Sequence, residues 1–169
     1  MTHEDMSSVS PENRDTIERY QRLSLSMRGT YGELLALHLL IEATIEDCLK
    51  VMLPNPRPFL ERDPSFAMKL ALFESLFSPS QRQGEILAAA RTINTTRNQI
   101  AHGDEPAVIE KAIDRICQMG SKNLGLGEFD AEPQMKRLAG VAIKVCGFLL
   151  GMVEGATGQK PPSQIGVED

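Results

Sequence analysis

The stretch from Leu138 to Val153, LAGVAIKVCGFLLGMV, is apolar nearly all the way round any helix drawn through it. A helix with one apolar face can lie on a surface, but one that is apolar on every side has to be surrounded. The run falls short of the ~20 residues that a bilayer core requires, and it carries Lys144 near its middle. The expectation is therefore a helix buried in a core or against a second copy of itself, with no membrane involved. The rest of the chain should supply the layer around it.

That layer reads as helices. Leu34, His38, Ile41, Ile45, Cys48 and Met52 form one stripe after Gly29 and Thr30, widened by Leu35, Leu39 and Leu49, with Glu42, Glu46, Asp47 and Lys50 on the remaining circumference. A weaker stripe, Ile17, Tyr20, Leu23 and Met27, predicts an amphipathic helix over Pro11 to Arg28, capped by Ser10. The prolines at 54, 56 and 58 predict an extended connection, followed by a helix from about Pro64 or Ser65 to Leu76 with Asp63 as its cap. Ser78 and Pro79 should end that helix. Ile86, Ile93 and Ile100 recur every seven residues in a helix from about Ser80 to Ala101, which Gly103 closes. Glu105 and Pro106 open a further helix through Gln118, a glycine-rich loop follows, and Pro133 starts the last helix, which runs to about Glu154. No stretch alternates with period two for long. The fold class is all-α, a compact bundle of five or six helices in one domain over 11–157, with polar, disordered tails at 1–10 and 158–169.

Composition removes several functions. The 169 residues carry 18 Lys+Arg against 23 Asp+Glu, a net charge of −5, so the chain lacks the basic face needed to coat long stretches of DNA. With no Trp and 5% aromatic residues it lacks a stacking platform for single strands. Cys48, Cys117 and Cys146 have neither disulfide-framework nor zinc-site spacing and read as buried apolar residues in a reducing compartment. The N-terminus has no apolar signal region, which makes the cytoplasm the expected location. Gly125-Leu126-Gly127 does not fit a phosphate loop, and no GxSxG, HExxH or Walker pattern occurs. No cofactor or metal is expected.

Of the three histidines, His3 lies in the polar N-terminal segment and His38 sits on the apolar stripe, where Glu42, four residues on, is placed to hold its ring. His102 differs, because it ends a long helix in Arg97-Asn98-Gln99-Ile100-Ala101-His102 and is followed by Gly103. The orphan carbonyls and negative dipole end of a helix favour a protonated imidazole, so a plain capping role accounts for His102 as well. Asn98 and His102 share a face, while Arg97 lies roughly 140° from His102 and reaches the same cleft only by bending its long side chain.

Arg97-Asn98-xx-Ala101-His102, preceded by FAMKLALFESLF and by LHLLIEATIEDCLK, resembles the HEPN superfamily of all-α domains, whose signature is R-x(4–6)-H with a polar residue after the arginine. The resemblance spans about residues 31 to 155. It implies a helical bundle, usually a homodimer, in which two R-x4-H motifs meet in one cleft, and in its active members metal-independent RNA endonuclease activity in toxin–antitoxin, antiviral or RNA-processing settings. Carried onto this chain, the resemblance makes Arg97, Asn98 and His102 the catalytic set. His102 handles the proton of the 2′-hydroxyl or the leaving 5′-oxygen, Arg97 binds the scissile phosphate, and Asn98 orients the phosphate or the imidazole. An antitoxin or regulatory protein is the implied partner besides RNA.

The same wording is similar to a mannitol operon repressor-like branch, which implies the alternative of a non-catalytic regulatory or scaffold dimer. Charge geometry separates the two. An Arg97 tied to Glu42 or Glu46, with His102 buried, makes the motif structural. Exposure of both in a shared groove favours the nuclease.

Overall fold

The all-round apolar run becomes the spine of a helical bundle. The computed structural model describes residues 30–77, 80–127 and 132–159. Within them the chain forms α1 (Thr30–Met52), α2 (Arg57–Leu60), α3 (Phe66–Ser75), α4 (Gln81–His102), α5 (Pro106–Asn123) and α6 (Gln134–Thr157), with no strand among the described residues. The helix expected over 11–28, both polar tails except for Gly158 and Gln159, and the Ser78-Pro79 stop lie outside them.

Helix α6 packs most extensively against α1, and also against α5 and α4, so it is covered by three partners. Leu138, Val141, Ala142, Val145, Cys146, Leu149, Leu150 and Val153 are buried, and Lys144 is exposed. By length and composition alone α6 would pass for a membrane span, and 56% of its most apolar window is buried inside the bundle. Helix α1 is the second central element. Leu34, Leu37, Leu40, Ile41, Ile45, Cys48 and Leu49 are all in the core, whereas Leu39, expected to widen the apolar stripe, is 42% exposed. One continuous core joins these helices to Phe73 of α3, Ile86 and Ile93 of α4, and Ile113 and Ile116 of α5.

Three local expectations are corrected. The proline segment contains a one-turn helix, α2, because Pro56 takes a helical backbone as N-cap and Pro58 occupies the first turn, where a missing N–H costs nothing. The cap of α3 is Ser65, whose hydroxyl accepts from the Met68 N–H at 3.4 Å, whereas Asp63 turns the chain with a positive φ of 49°. Helix α5 runs on past Gln118 to Asn123 and takes in Gly120, so the glycine-rich connection is shorter than expected.

Helix α4 matches its expected limits. Ser80 forms a capping box with Gln83, and Gly103 ends the helix at φ 72°, a left-handed conformation for which glycine is suited. The helix tolerates a threonine-rich middle because the hydroxyls of Thr92, Thr95 and Thr96 bond back to the carbonyls of Ala88, Arg91 and Thr92. Its buried residues stop at Thr96, so the last turn and the corner leading into α5 project from the core.

Candidate functional site

The projecting turn carries the residues that the sequence marked as candidates. Asn94, Asn98 and His102 recur every four residues on α4, so they form a single polar stripe with Arg97 on its flank. The stripe opens toward its end, from half-buried Asn94 and Asn98 to exposed His102. His102 is exposed, as are Ala101 before it and Gly103, Asp104, Glu105, Pro106, Ala107 and Val108 after it. Arg97 and Asn98 are half-buried, and Nη1 of Arg97 donates to Oδ1 of Asn98 at 3.2 Å. Among the described residues no carboxylate lies within ion-pair distance of Arg97. Gln99, two residues along, has a buried side-chain carbonyl oxygen without a hydrogen-bond partner among the described residues.

The inner end of the stripe meets α1. Nε2 of His38 lies 3.0 Å from Oδ1 of Asn94, so this nitrogen carries the proton and donates. The ring is 4% exposed and rests on Phe66 of α3 at a centroid separation of 4.7 Å. Glu42 does not hold it by a hydrogen bond as expected, because Oε2 is 3.9 Å from Nδ1. The partner is instead an asparagine 56 positions away. Burial pushes the imidazole below the usual histidine range; Arg97 and Lys69 push the same way, while Asn94 and Glu42 pull it up. His38 is thus a neutral core histidine.

The carboxylates of α1 are occupied by a lysine. Nζ of Lys69 donates to Glu42 at 2.7 Å and to Glu46 at 2.6 Å. The Lys69 side chain is 5% exposed, against 21% for Glu42 and 35% for Glu46, so the triad is open only toward Glu46. Burial alone would push the ammonium down, but its bonds to both glutamates outweigh this and hold Lys69 above the usual lysine range. A charge this deep is tolerable only because it is paired. His38, Glu42 and Glu46 share one face of α1, yet Lys69 fills the space between the two carboxylates. No cluster of three or more His, Cys, Asp or Glu placed to hold a metal occurs among the described residues.

Arg97, Asn98 and His102 therefore share the last two turns of one helix. Asn98 and His102 stand on one face, and Arg97 touches Asn98. Sequence reasoning missed Asn94 and Lys69. The signal for Asn94 was its four-residue spacing from Asn98; for Lys69 it was a lone charge inside the apolar segment Phe66–Phe73. The three cysteines are buried and form no disulfide among the described residues, with the thiols of Cys48 and Cys117 pushed upward by burial. Comparison with known proteins adds nothing to this geometry: no family model, no curated protein and no solved structure matches the chain.

Proposed function

We propose that the chain is a metal-independent RNA endonuclease of the HEPN kind, acting as a homodimer through Arg97, Asn98 and His102. The observation that carries this reading is the state of the charges. Among the described residues Arg97 has no carboxylate partner, Glu42 and Glu46 are bound to Lys69, and His102 stands exposed near Arg97 at the end of α4. A motif that served only to brace the helix would be expected to spend its arginine on an internal carboxylate.

The chemistry follows from the residue types. The His102 imidazole takes the proton from a ribose 2′-hydroxyl, whose oxygen attacks the adjacent phosphorus. The bond to the 5′-oxygen breaks, that oxygen takes up the proton the imidazole accepted, and the products are a 2′,3′-cyclic phosphate and a 5′-hydroxyl. Arg97 donates to the non-bridging oxygens as their charge grows, and Asn98 fixes the guanidinium it already touches. Exposed Ala101, Ala107 and Val108 beside His102 offer an apolar rim on which a second copy can sit, bringing two motifs together. An acidic chain with few free cations at this corner suits a cleft of a few nucleotides.

The test is incubation with a mixed RNA pool in excess EDTA. Cleavage by the wild-type protein is expected, falling by about a hundredfold or more in both His102→Ala and Arg97→Ala, the loss typical of a missing proton-transfer or charge-stabilising group. No cleavage by the wild type, with both variants less stable to heat, would make the motif a helix-end brace in a regulatory or scaffold dimer.

A further inference from the structure

We propose that Lys69 is a positioning residue for Arg97: by holding Glu42 and Glu46 it denies the guanidinium an internal carboxylate and keeps it available to a phosphate. The inference rests on the reading of Arg97 as a phosphate ligand. Its basis is the arrangement around His38. One side of the imidazole faces Glu42, with Nδ1 3.9 Å from Oε2. The other side is bonded to Asn94, and Arg97 lies one turn further along the same helix and acts electrostatically on the ring. Glu42 and the helix turn that leads to Arg97 therefore meet the same neutral side chain from its two nitrogens, and Glu42 is held on its own side by the Lys69 ammonium.

Removing that ammonium changes the balance in a defined direction. Glu42 and Glu46 stand four residues apart on α1, where like charges repel, and both are partly buried. Glu46 is exposed enough to turn to water. Glu42 is less so, and its Oε2 lies 3.9 Å from the imidazole that α4 holds through Asn94, one turn before Arg97. A carboxylate attracts a guanidinium through paired, charge-assisted hydrogen bonds, so Arg97 is the natural replacement for Lys69. Arginine so paired is lost to an incoming phosphate. Lys69 is too buried to touch RNA itself, so its effect has to pass through Glu42.

The experiment compares the full chain with Lys69→Met, Glu42→Gln and the double variant Lys69→Met/Glu42→Gln, each checked for helix content and oligomeric state. One readout is the nitrogen NMR signal of the Arg97 guanidinium, whose rotation and proton exchange slow when it is ion-paired. The other is affinity for a short 2′-O-methyl RNA, which cannot be cleaved through its 2′-oxygen. Lys69→Met should slow the Arg97 signal and weaken RNA binding by about tenfold, the scale of one charge-assisted interaction. The double variant should recover both, and Glu42→Gln should resemble the wild type.

Weakening in Lys69→Met without recovery in the double variant would overturn the proposal, leaving Lys69 a purely structural ion pair. So would an Arg97 signal unchanged by Lys69→Met in a folded protein. If Lys69→Met does not fold, Lys69→Gln, which keeps a donor without the charge, takes its place in the same scheme. If neither wild type nor Arg97→Ala binds RNA, the nuclease reading fails, while the Arg97 signal still decides whether Lys69 controls the guanidinium.

Discussion

His38 shows what burial does to a group that titrates near neutrality. The unfolded chain holds this histidine at the ordinary range near 6.5, while the folded chain holds it lower, chiefly through burial and against the pull of Asn94 and Glu42. The unfolded state therefore binds the proton more readily, and stability falls as protons are added. The contribution is fully present above pH about 6.5 and is lost as the pH drops through the folded value. Urea midpoints measured from pH 8 to pH 5 should show that decline, and the share owed to His38 should be absent in His38→Gln. A flat profile, or one unchanged by the substitution, would mean that the ring is not held neutral. That His38 is buried was legible from its place between Leu34 and Ile41. Its bond to Asn94 was not, because nothing local records a contact across 56 positions. The same holds for Lys69, whose pairing with two glutamates depends on how α3 crosses α1.

Among the elements, α4 is the one whose limits the sequence states in full. Ser80 and Gln83 begin it and Gly103 ends it, all through backbone groups within reach of the residues concerned. Ser80→Ala should cost about 1 kcal/mol in chemical denaturation, as caps usually do. Cleavage per folded molecule should not change, since the cap is at the far end from His102. The contact between α5 and α6 depends on Gly120 instead. A Cβ there would stand 2.6 Å from Cγ2 of Val141, so Gly120→Ala should destabilise by about 1–3 kcal/mol through overpacking, read as a lower urea midpoint. A neutral result would mean that the Val141 side chain rotates away. The proline segment went the other way. Its residues forbid a long helix but permit a single turn, and the choice was made by Pro56 adopting a helical backbone, which composition does not record.

At the scale of the whole molecule, an all-α bundle was legible because each long helix carries its own apolar period and Leu138–Val153 demanded a centre. The arrangement of those helices was not, since the stripes say which faces are buried and not against what. The corner from Ala101 to Val108 is left exposed, with Val108 at 42%. Light scattering after gel filtration should give a mass of two 18.6 kDa chains, and Val108→Glu should shift it toward one. A monomeric wild-type protein that still cleaves RNA would remove the shared cleft from the proposal. The most extensive packing in the bundle joins α1, first of the described helices, to α6, the last. A ribosome delivers them in that order, roughly 5 to 20 seconds apart at an elongation rate of about 5–20 residues per second. Until α6 emerges, the part of the apolar face of α1 that α6 covers stays open, with α3 and α4 packed on this helix. Whatever role the corner at His102 serves is thereby withheld until α6 has been made.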